Sequence, residues 1–283
     1  MASTRGADGA EEWAPVGRDL RTDLPHTARM YDYYLGGKDN FPADRAAAEK
    51  IRALFPDTFT AARANRRFMV RAARYAAEEG ITQFLDIGTG IPTSPNLHEV
   101  AQGIHPAARI VYVDNDPIVL AHARALLTST PQGRTTYIDA DLRDPETILS
   151  SPQLTRTIDP KRPIALFLMA VLHFVPDSDR PHQTVQRLKE MLPSGSMLVL
   201  SHSTADFVAP EMLTHRKDTE DAYATGGTSL ALRSGEEIMR FLSGLDPVEP
   251  GLCPVHEWRS TAPEDLALSR ERVPFYAAVA RKP

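Results

Sequence analysis

Apolar residues recur with a helical period in the first part of this chain. From Pro25 to Gly80 they return about every three or four residues, and prolines and glycines stand at the ends of the periodic runs. The pair Gly36-Gly37 is expected to end the first helix, and Gly80 the third. This pattern predicts three helices, over His26–Leu35, Pro42–Leu54 and Thr58–Glu79.

From residue 81 the pattern changes to short apolar runs that alternate with helical stretches. The run from Ile164 to Met169 is apolar on both faces, which is typical of a parallel strand covered by helices on two sides. The alternation predicts an α/β fold with an open, doubly wound sheet and right-handed crossovers. Strands are predicted at Gln83–Ile87, Arg109–Asp114, Thr135–Asp139, Pro163–Ala170, Met197–His202, Cys253–Trp258 and Phe275–Ala280.

The chain is expected to divide into three parts. Residues 1–20 are small, polar and charged, and they predict a flexible tail. Residues 21–80 form a helical N-terminal cap, and residues 81–283 form the α/β domain with a helical insertion near 205–232. Helices within that domain are predicted at about 95–103, 117–127, 145–149, 180–192, 210–224 and 234–242, the last one with Ser234 and Glu237 at capping-box spacing.

Composition indicates an ordinary globular protein. The 283 residues are 42% hydrophobic and 24% charged, and the net charge of -5 argues against a general binder of nucleic acid or anionic membranes. No apolar run approaches the roughly 20 residues that span a bilayer, and residues 1–20 lack a signal-peptide core. We therefore expect a cytoplasmic protein without a membrane partner. Since Cys253 is the single cysteine, no disulfide within the chain and no cysteine-based zinc site are predicted. His98 and His202 belong to no metal-ligand pattern, so no metal site is predicted.

One helix face carries a row of basic residues. The members share the third predicted helix at spacings of three and four residues, and they are Arg63, Arg67, Arg71 and Arg74. In an acidic protein an ordinary solvated face is a better interpretation than a nucleic-acid groove, so no nucleic-acid partner is expected.

A glycine turn follows the first predicted strand. Gly88 and Gly90 allow the backbone to turn sharply and to approach a ligand closely, and Asp86 precedes them. A dinucleotide and S-adenosylmethionine both bind at turns of this kind. The dinucleotide fingerprint G-x-G-x-x-G requires a third glycine, but Thr93 occupies that position.

Acidic residues follow the next two strands. Asp114 ends the second strand, where a carboxylate can accept hydrogen bonds from both hydroxyls of a ribose. Asp116 precedes a proline and fits the N-cap of the following helix, which leaves Asp114 for a ligand. Asp141 follows the third strand, with Asp139 as the alternative if that strand ends earlier.

The spacing Asp86-x-Gly88-x-Gly90 resembles the first motif of class I S-adenosylmethionine-dependent methyltransferases, although Pro92 stands where that family often has a third glycine. The resemblance implies that Asp86 faces the amino group of the methionine part. It also implies that Asp114 holds the ribose and that Asp141 and Leu142 contact the adenine. S-adenosyl-L-methionine is therefore the expected cofactor, and its predicted site consists of Asp86, Gly88, Thr89, Gly90, Asp114, Asn115, Asp141, Leu142 and Ala170.

The segment from Tyr34 to Asn40 makes the resemblance more specific. Together with residues 83–90 and 112–117, it closely resembles an actinobacterial family of predicted S-adenosylmethionine methyltransferases that was formerly a domain of unknown function. The resemblance extends from about residue 19 to the C-terminus. It implies a Rossmann-like, mostly parallel seven-stranded sheet in the order 3-2-1-4-5-7-6, with the last strand antiparallel. It implies methyl transfer but no particular acceptor.

Candidate residues for the transfer lie after the fourth strand and in the cap. His173 is placed near the transferred methyl, where it acts as a general base or only packs beside the cofactor. Four residues of the cap are predicted to line a substrate pocket as a lid, and His202 is a candidate on the same side. The cap residues are Tyr31, Tyr34, Lys38 and Asn40.

The predicted function is methyl transfer to an unidentified small-molecule acceptor. Two alternatives stay open: a non-catalytic S-adenosylmethionine-binding sensor or scaffold, and an NAD-dependent oxidoreductase. The sequence does not indicate the oligomeric state.

Overall fold

A computed structural model describes residues 20–126, 128–208, 216–224 and 226–283. The predicted flexible tail over residues 1–20 lies outside these ranges except for its last residue. Residues 209–215 of the predicted helical insertion also lie outside them. Within the described residues, no helix is long and apolar enough to cross a membrane.

Three helices precede the sheet, as predicted: α1 (Thr27–Leu35), α2 (Pro42–Leu54) and α3 (Thr58–Glu78). Gly36 ends α1 with a φ of 86°, a left-handed conformation that glycine adopts without strain. Helix α3 presents a stripe of buried alanines to the core, and their small side chains allow the helix to lie close to the sheet.

The sheet is mostly parallel, and the described residues contribute eight strands to it. The strands are β1 (Gln83–Ile87), β2 (Arg109–Asp114), β3 (Arg134–Asp139), β4 (Ala165–Met169), β5 (Met197–Ser203), β6 (Asp246–Pro247), β7 (Cys253–Pro254) and β8 (Phe275–Arg281). Their order in the sheet is β3-β2-β1-β4-β5-β8-β6, with β7 also paired to β8. The last long strand, β8, is antiparallel to β5, as the resemblance implied.

Helices cover both faces of the sheet over two separate hydrophobic clusters. The predicted capping box of Ser234 and Glu237 is present at the start of the helix Gly235–Met239. The helix Pro152–Thr157 was not predicted from the sequence. The helices are α4 (Leu97–Ile104), α5 (Pro117–Leu126), α6 (Pro145–Leu149), α7 (Pro152–Thr157), α8 (Pro181–Glu190), α9 (Arg216–Ala224), α10 (Gly235–Met239) and α11 (Pro263–Leu266).

The predicted strand Cys253–Trp258 is wrong beyond Pro254. The chain turns away from β8 after two paired residues. The indole of Trp258 then packs edge-to-face against Phe68 and Tyr75 of α3, at centroid distances of 5.4 and 5.8 Å. The packing of Trp258 against α3 therefore determines the conformation of the chain after Pro254.

The basic face of α3 is also not an ordinary solvated surface. Arg67 and Arg71 both form ion pairs with the fully buried Asp265 of α11, at 2.5 and 2.6 Å. Arg71 additionally donates to the carbonyl oxygens of Trp258 and Val255. These two arginines therefore attach α3 to the C-terminal part of the fold.

Candidate active site

The glycine turn lies between the ends of β1, β2 and β4. Gly88 has a φ of 77°, and an added Cβ atom would lie 2.6 Å from Cγ2 of Val171. Gly90 also has a positive φ, of 69°. Among the described residues, no heavy atom lies within 4 Å of the position that its Cβ would occupy. The turn therefore packs tightly against the exit of β4 and leaves open space in front of Gly90.

The carboxylate of Asp114 holds this turn from the neighbouring strand. Its Oδ2 accepts a hydrogen bond from the Gly90 amide at 2.8 Å, and its Oδ1 accepts from the Asp116 amide at 3.0 Å. Burial raises the pKa of Asp114, while these two amides act in the opposite direction. A carboxylate has about four acceptor positions, so roughly two remain for a ligand.

Asp86 is buried at the end of β1. Its Oδ2 accepts a hydrogen bond from the Thr89 hydroxyl at 3.0 Å. Burial raises the pKa of Asp86 to about 6, although the Thr89 hydroxyl and the charge of Arg66 counteract part of the shift. A carboxylate in this position is poised to gain stability from a cationic ligand.

We expect Asp86→Asn to stabilise the ligand-free protein above about pH 6. Folding raises the pKa of Asp86 from 3.8 to about 6. The contribution of Asp86 to the stability of the folded protein is therefore fully present below pH 3.8, and it is lost as the pH rises through about 6. Asparagine removes that loss. At about 1.4 kcal/mol per pKa unit, a shift from 3.8 to about 6 corresponds to a gain of about 3 kcal/mol in the free energy of unfolding.

Urea unfolding at about pH 8 and about pH 5 measures this gain, which is expected to be larger at the higher pH. The same substitution at the exposed Asp144 is the control. Hydrogen bonds from Thr147 lower the pKa of Asp144, so no gain is expected there. An Asp86→Asn variant no more stable than wild type at the higher pH would contradict the prediction.

Asp141 follows β3 and is held by two neighbours. It accepts a hydrogen bond from Asn115 Nδ2 at 2.8 Å, and the backbone amide and guanidinium of Arg143 donate to both its oxygens. Burial alone would raise the pKa of Asp141, but the hydrogen bonds from Arg143 and Asn115 outweigh it and lower the pKa to about 2. Asp141 is therefore a fixed, negatively charged acceptor.

The exit of β4 is strained at Ala170. This residue has a φ of 51°, and its amide donates to the Ser201 hydroxyl at 3.0 Å. Non-glycine residues in the left-handed region cost about 1–3 kcal/mol and occur often at functional sites. The strained residue directs the chain into the short 3-10 turn Leu172–Phe174, which carries His173.

His173 is buried, and burial holds its pKa well below the usual value. The Ser203 amide donates to its Nδ1 at 3.3 Å. Since a neutral imidazole has one donor and one acceptor nitrogen, the proton lies on Nε2. This geometry favours a packing or hydrogen-bond-donor role over the alternative of a general base.

His202 does not line the cavity beside these residues, contrary to the prediction of a substrate contact. Its ring is fully buried, with Nδ1 donating to the Ser203 carbonyl at 2.6 Å and Nε2 accepting from Arg233 at 3.0 Å. Burial lowers the pKa of His202 to about 3. Arg233 in turn donates to the carbonyl oxygens of Leu172 and Val175, so the pair supports the turn that carries His173.

One cavity of about 360 Å³ brings the predicted site together. It is lined by His173 and by every predicted cofactor residue: Asp86, Gly88, Thr89, Gly90, Asp114, Asn115, Asp141, Leu142 and Ala170. Within the described ranges, no group of three or more His, Cys, Asp or Glu side chains is placed to hold a metal ion.

Only two of the four predicted cap residues reach this cavity. Tyr31 and Tyr34 line it, whereas Lys38 and Asn40 do not. Lys38 is exposed. Asn40 is buried and donates to Asp32 Oδ2 at 2.8 Å, so it supports the turn after α1 and does not contact the cavity.

Sequence reasoning missed several lining residues. Asn65 and Arg66 project from α3 into the cavity, and Tyr223 reaches it from α9. A signal existed for Asn65, because it interrupts the alanine-rich buried stripe of α3 at a helical spacing from Ala61. No local signal marks Tyr223, whose position depends on tertiary packing.

Comparisons with known proteins identify the family of this chain. Residues 14–283 match the family described as S-adenosyl methyltransferase. A DUF574 family protein from Streptomyces avermitilis is 48% identical with a TM-score of 0.89, and the match covers 94% of this chain and 100% of that one. A candidate methyltransferase from Thermobifida fusca is 39% identical with a TM-score of 0.83, covering 96% and 99%. No curated protein matches.

The family model covers most of the chain, and both solved relatives exceed 30% identity over nearly their whole length. The predicted family, fold and cofactor are thereby confirmed. The chain belongs to the S-adenosyl methyltransferase family and is an enzyme that takes its methyl group from S-adenosylmethionine.

Proposed function

We propose that this methyltransferase acts on a small, largely apolar acceptor with an aromatic ring. The observation that carries the proposal is the cavity of about 360 Å³, which joins Asp86, Asp114 and Asp141 at the strand ends to an aromatic wall. Small-molecule sites typically occupy about 300–1,000 Å³ and are mainly apolar with a few placed polar groups.

The strand-end residues fit the cofactor. Asp114 has acceptor positions left for two ribose hydroxyls, and Asp141 offers a charged acceptor for the adenine amine. A side chain at position 90 would project into the open space in front of the turn, and glycine leaves that space free for the ligand. When bound, S-adenosylmethionine supplies a methyl group on a positively charged sulfur, and the buried Asp86 gives that end of the site a negative charge.

The remaining wall suits a planar, uncharged acceptor. Phe174 and Tyr223 line the cavity with ring centroids 5.3 Å apart, and Tyr31, Tyr34 and Phe275 add further aromatic surface. Burial raises the pKa of Tyr223 to about 12, so its hydroxyl stays neutral at physiological pH. Aromatic rings stack favourably on such walls.

The chain aligns the acceptor more than it activates it. His173 carries its proton on Nε2, so in this proposal it donates a hydrogen bond and does not remove the acceptor proton. Alignment of nucleophile, methyl and sulfur in a site shielded from water supplies most of the rate enhancement. This favours an acceptor whose nucleophile needs no protein base.

We further propose that residues 21–80 act as a cap over this site. The guanidinium of Arg29, only 3% exposed, lies between Asp44 of α2 and Asp116 beside the ribose-binding turn, at 3.5 and 3.4 Å from Nε. Next to Gly227, which lines the cavity, Gly226 lies so close to the Pro25 carbonyl that no side chain would fit. Both contacts support a covered, small-molecule site.

A methyl-transfer screen tests the proposal. Release of S-adenosylhomocysteine is measured with libraries of phenols, aromatic amines, peptides and RNA, and turnover is expected only with the small aromatic compounds. Calorimetry with S-adenosylmethionine and NAD addresses the two alternatives. Binding of S-adenosylmethionine without turnover on any acceptor would favour a sensor, and tight binding of NAD alone would favour an oxidoreductase.

Tyr223→Leu is expected to raise the KM for the aromatic acceptor about two- to tenfold while leaving the cofactor Kd unchanged, because an aromatic contact is worth about 0.5–1.5 kcal/mol. Steady-state kinetics and calorimetry measure the two constants. Tyr33→Leu is the control, since Tyr33 does not line the cavity and bonds Glu49 outside it. Equal effects of both substitutions would contradict the proposed wall.

A further inference from the structure

Arg66 of α3 brings a positive charge to the glycine turn. Its Nη2 donates to the carbonyl oxygens of Thr93 and Pro95, the latter at 2.9 Å, and its charge acts on Asp86. Its Nε is buried and has no hydrogen-bond partner among the described residues. A guanidinium that retains a buried, unused donor atom beside a cavity calls for an anionic partner.

Asn65, the preceding residue, brings an unused acceptor. The Tyr31 hydroxyl donates its only proton to the Ala62 carbonyl at 3.0 Å, so it must accept from Asn65 Nδ2 at 2.8 Å. This fixes the orientation of the amide. The Oδ1 atom of Asn65, a side chain only 2% exposed, is then left without a partner among the described residues.

The side chains of Arg66, Asn65 and Asp86 together are complementary in charge and hydrogen bonding to a zwitterionic ligand. Arg66 offers a cation, whereas Asp86 and Asn65 Oδ1 offer a carboxylate and a neutral acceptor, and all three side chains line the same cavity. We propose that α3 recognises the amino-acid end of the cofactor, with Arg66 binding the carboxylate and Asn65 accepting from the ammonium. The proposal rests on the proposed binding of the ribose by Asp114 and of the adenine by Asp141. It assigns the amino-acid end of the cofactor to helix α3 of the cap.

A purely structural role for Arg66 would give a different pattern of ligand affinities. If the guanidinium only braces the loop at Thr93 and Pro95, its loss disturbs the whole turn and weakens every adenosine ligand equally. Recognition of the carboxylate instead affects only ligands that carry one. The ligand series below separates these two roles without using the acceptor.

Calorimetry of the full chain uses four ligands: S-adenosylhomocysteine, its decarboxylated analogue, its deaminated analogue and methylthioadenosine, which lacks the whole amino-acid part. Wild type is expected to prefer S-adenosylhomocysteine over each other ligand by about tenfold or more, since hydrogen bonds to charged groups contribute about 1.5–3 kcal/mol. Arg66→Met is expected to lose the preference over the decarboxylated analogue, and Asn65→Leu the preference over the deaminated one. Both variants keep the methylthioadenosine Kd within about twofold.

Arg63→Met on the exposed side of α3 is the matched control and is expected to bind all four ligands as wild type does. Thermal melting verifies folding, and if Arg66→Met does not fold, Arg66→Lys and the wild-type series still test the proposal. Equal weakening of all four ligands, no change in any variant, or no preference in wild type would each overturn it. Because no acceptor is added, a failed acceptor screen does not affect the outcome.

Discussion

Replacing Gly88 with valine is expected to weaken cofactor binding more than about 100-fold and to lower the free energy of unfolding by about 3–5 kcal/mol. A left-handed backbone costs a non-glycine residue about 1–2 kcal/mol, and Gly88 has a φ of 77°. The new Cβ would also lie 2.6 and 2.9 Å from Cγ2 and Cβ of Val171. Because a Cβ atom cannot swing away, the exit of β4 must shift. Calorimetry and urea unfolding measure the two losses.

Two other glycines separate backbone strain from ligand space. Gly90 and Gly244 have φ values of 69° and 78°, and neither has a described heavy atom within 4 Å of an added Cβ. Alanine at either position is therefore expected to cost a similar 1–2 kcal/mol of stability, roughly. Only Gly90→Ala is expected to weaken cofactor binding, because Gly90 lines the cavity. A comparable loss of affinity in Gly244→Ala would show that general strain explains the effect.

Asp114→Ala is the second change with a large expected effect. It leaves the part-buried amide of Gly90 and the buried amide of Asp116 without their acceptor, and each unsatisfied group costs about 1–3 kcal/mol. In the proposed assignment it also removes the partner of the ribose hydroxyls. We expect the cofactor Kd to rise about 100-fold or more and the unfolding free energy to fall by about 2–4 kcal/mol.

Asp139 provides a control at the equivalent position of the next strand. It pairs in register with Asp114 at the ends of β3 and β2, but it is exposed and does not line the cavity. Asp139→Ala is expected to leave the cofactor Kd within about twofold. A loss of affinity there equal to that of Asp114→Ala would contradict the assignment of the ribose contact.

The site is built at a cost to the stability of the free protein. Asp86 and Asp114 are both buried, and burial raises the pKa of each. Arg66 is also largely buried, and burial lowers its pKa. Bringing three charged groups out of water is unfavourable, and a zwitterionic, hydroxyl-bearing ligand offsets that cost. The free enzyme is therefore expected to gain stability when the cofactor binds.

The sequence by itself determined the elements whose signals are local. Helices α1 to α3 and strands β1 to β5 appear within a few residues of their predicted ends, because periodicity and the proline and glycine stops act over one element. The turn at Gly88 and the acids after β2 and β3 were also predictable. Parallel strands bring their carboxyl ends to one edge, so their spacing along the chain already indicates a shared site.

The tertiary structure alone decided which side chains face the cavity. The sequence places Lys38 and Asn40 in a plausible lid, yet the turn after α1 directs them elsewhere. His202 lies near the end of β5 at the correct edge, but its buried ring contacts Arg233 and does not line the cavity. The unpredicted pairing of Arg67 with Asp265 joins residues 198 positions apart. Such contacts depend on how whole elements pack against one another, and no pattern within a single element records that packing.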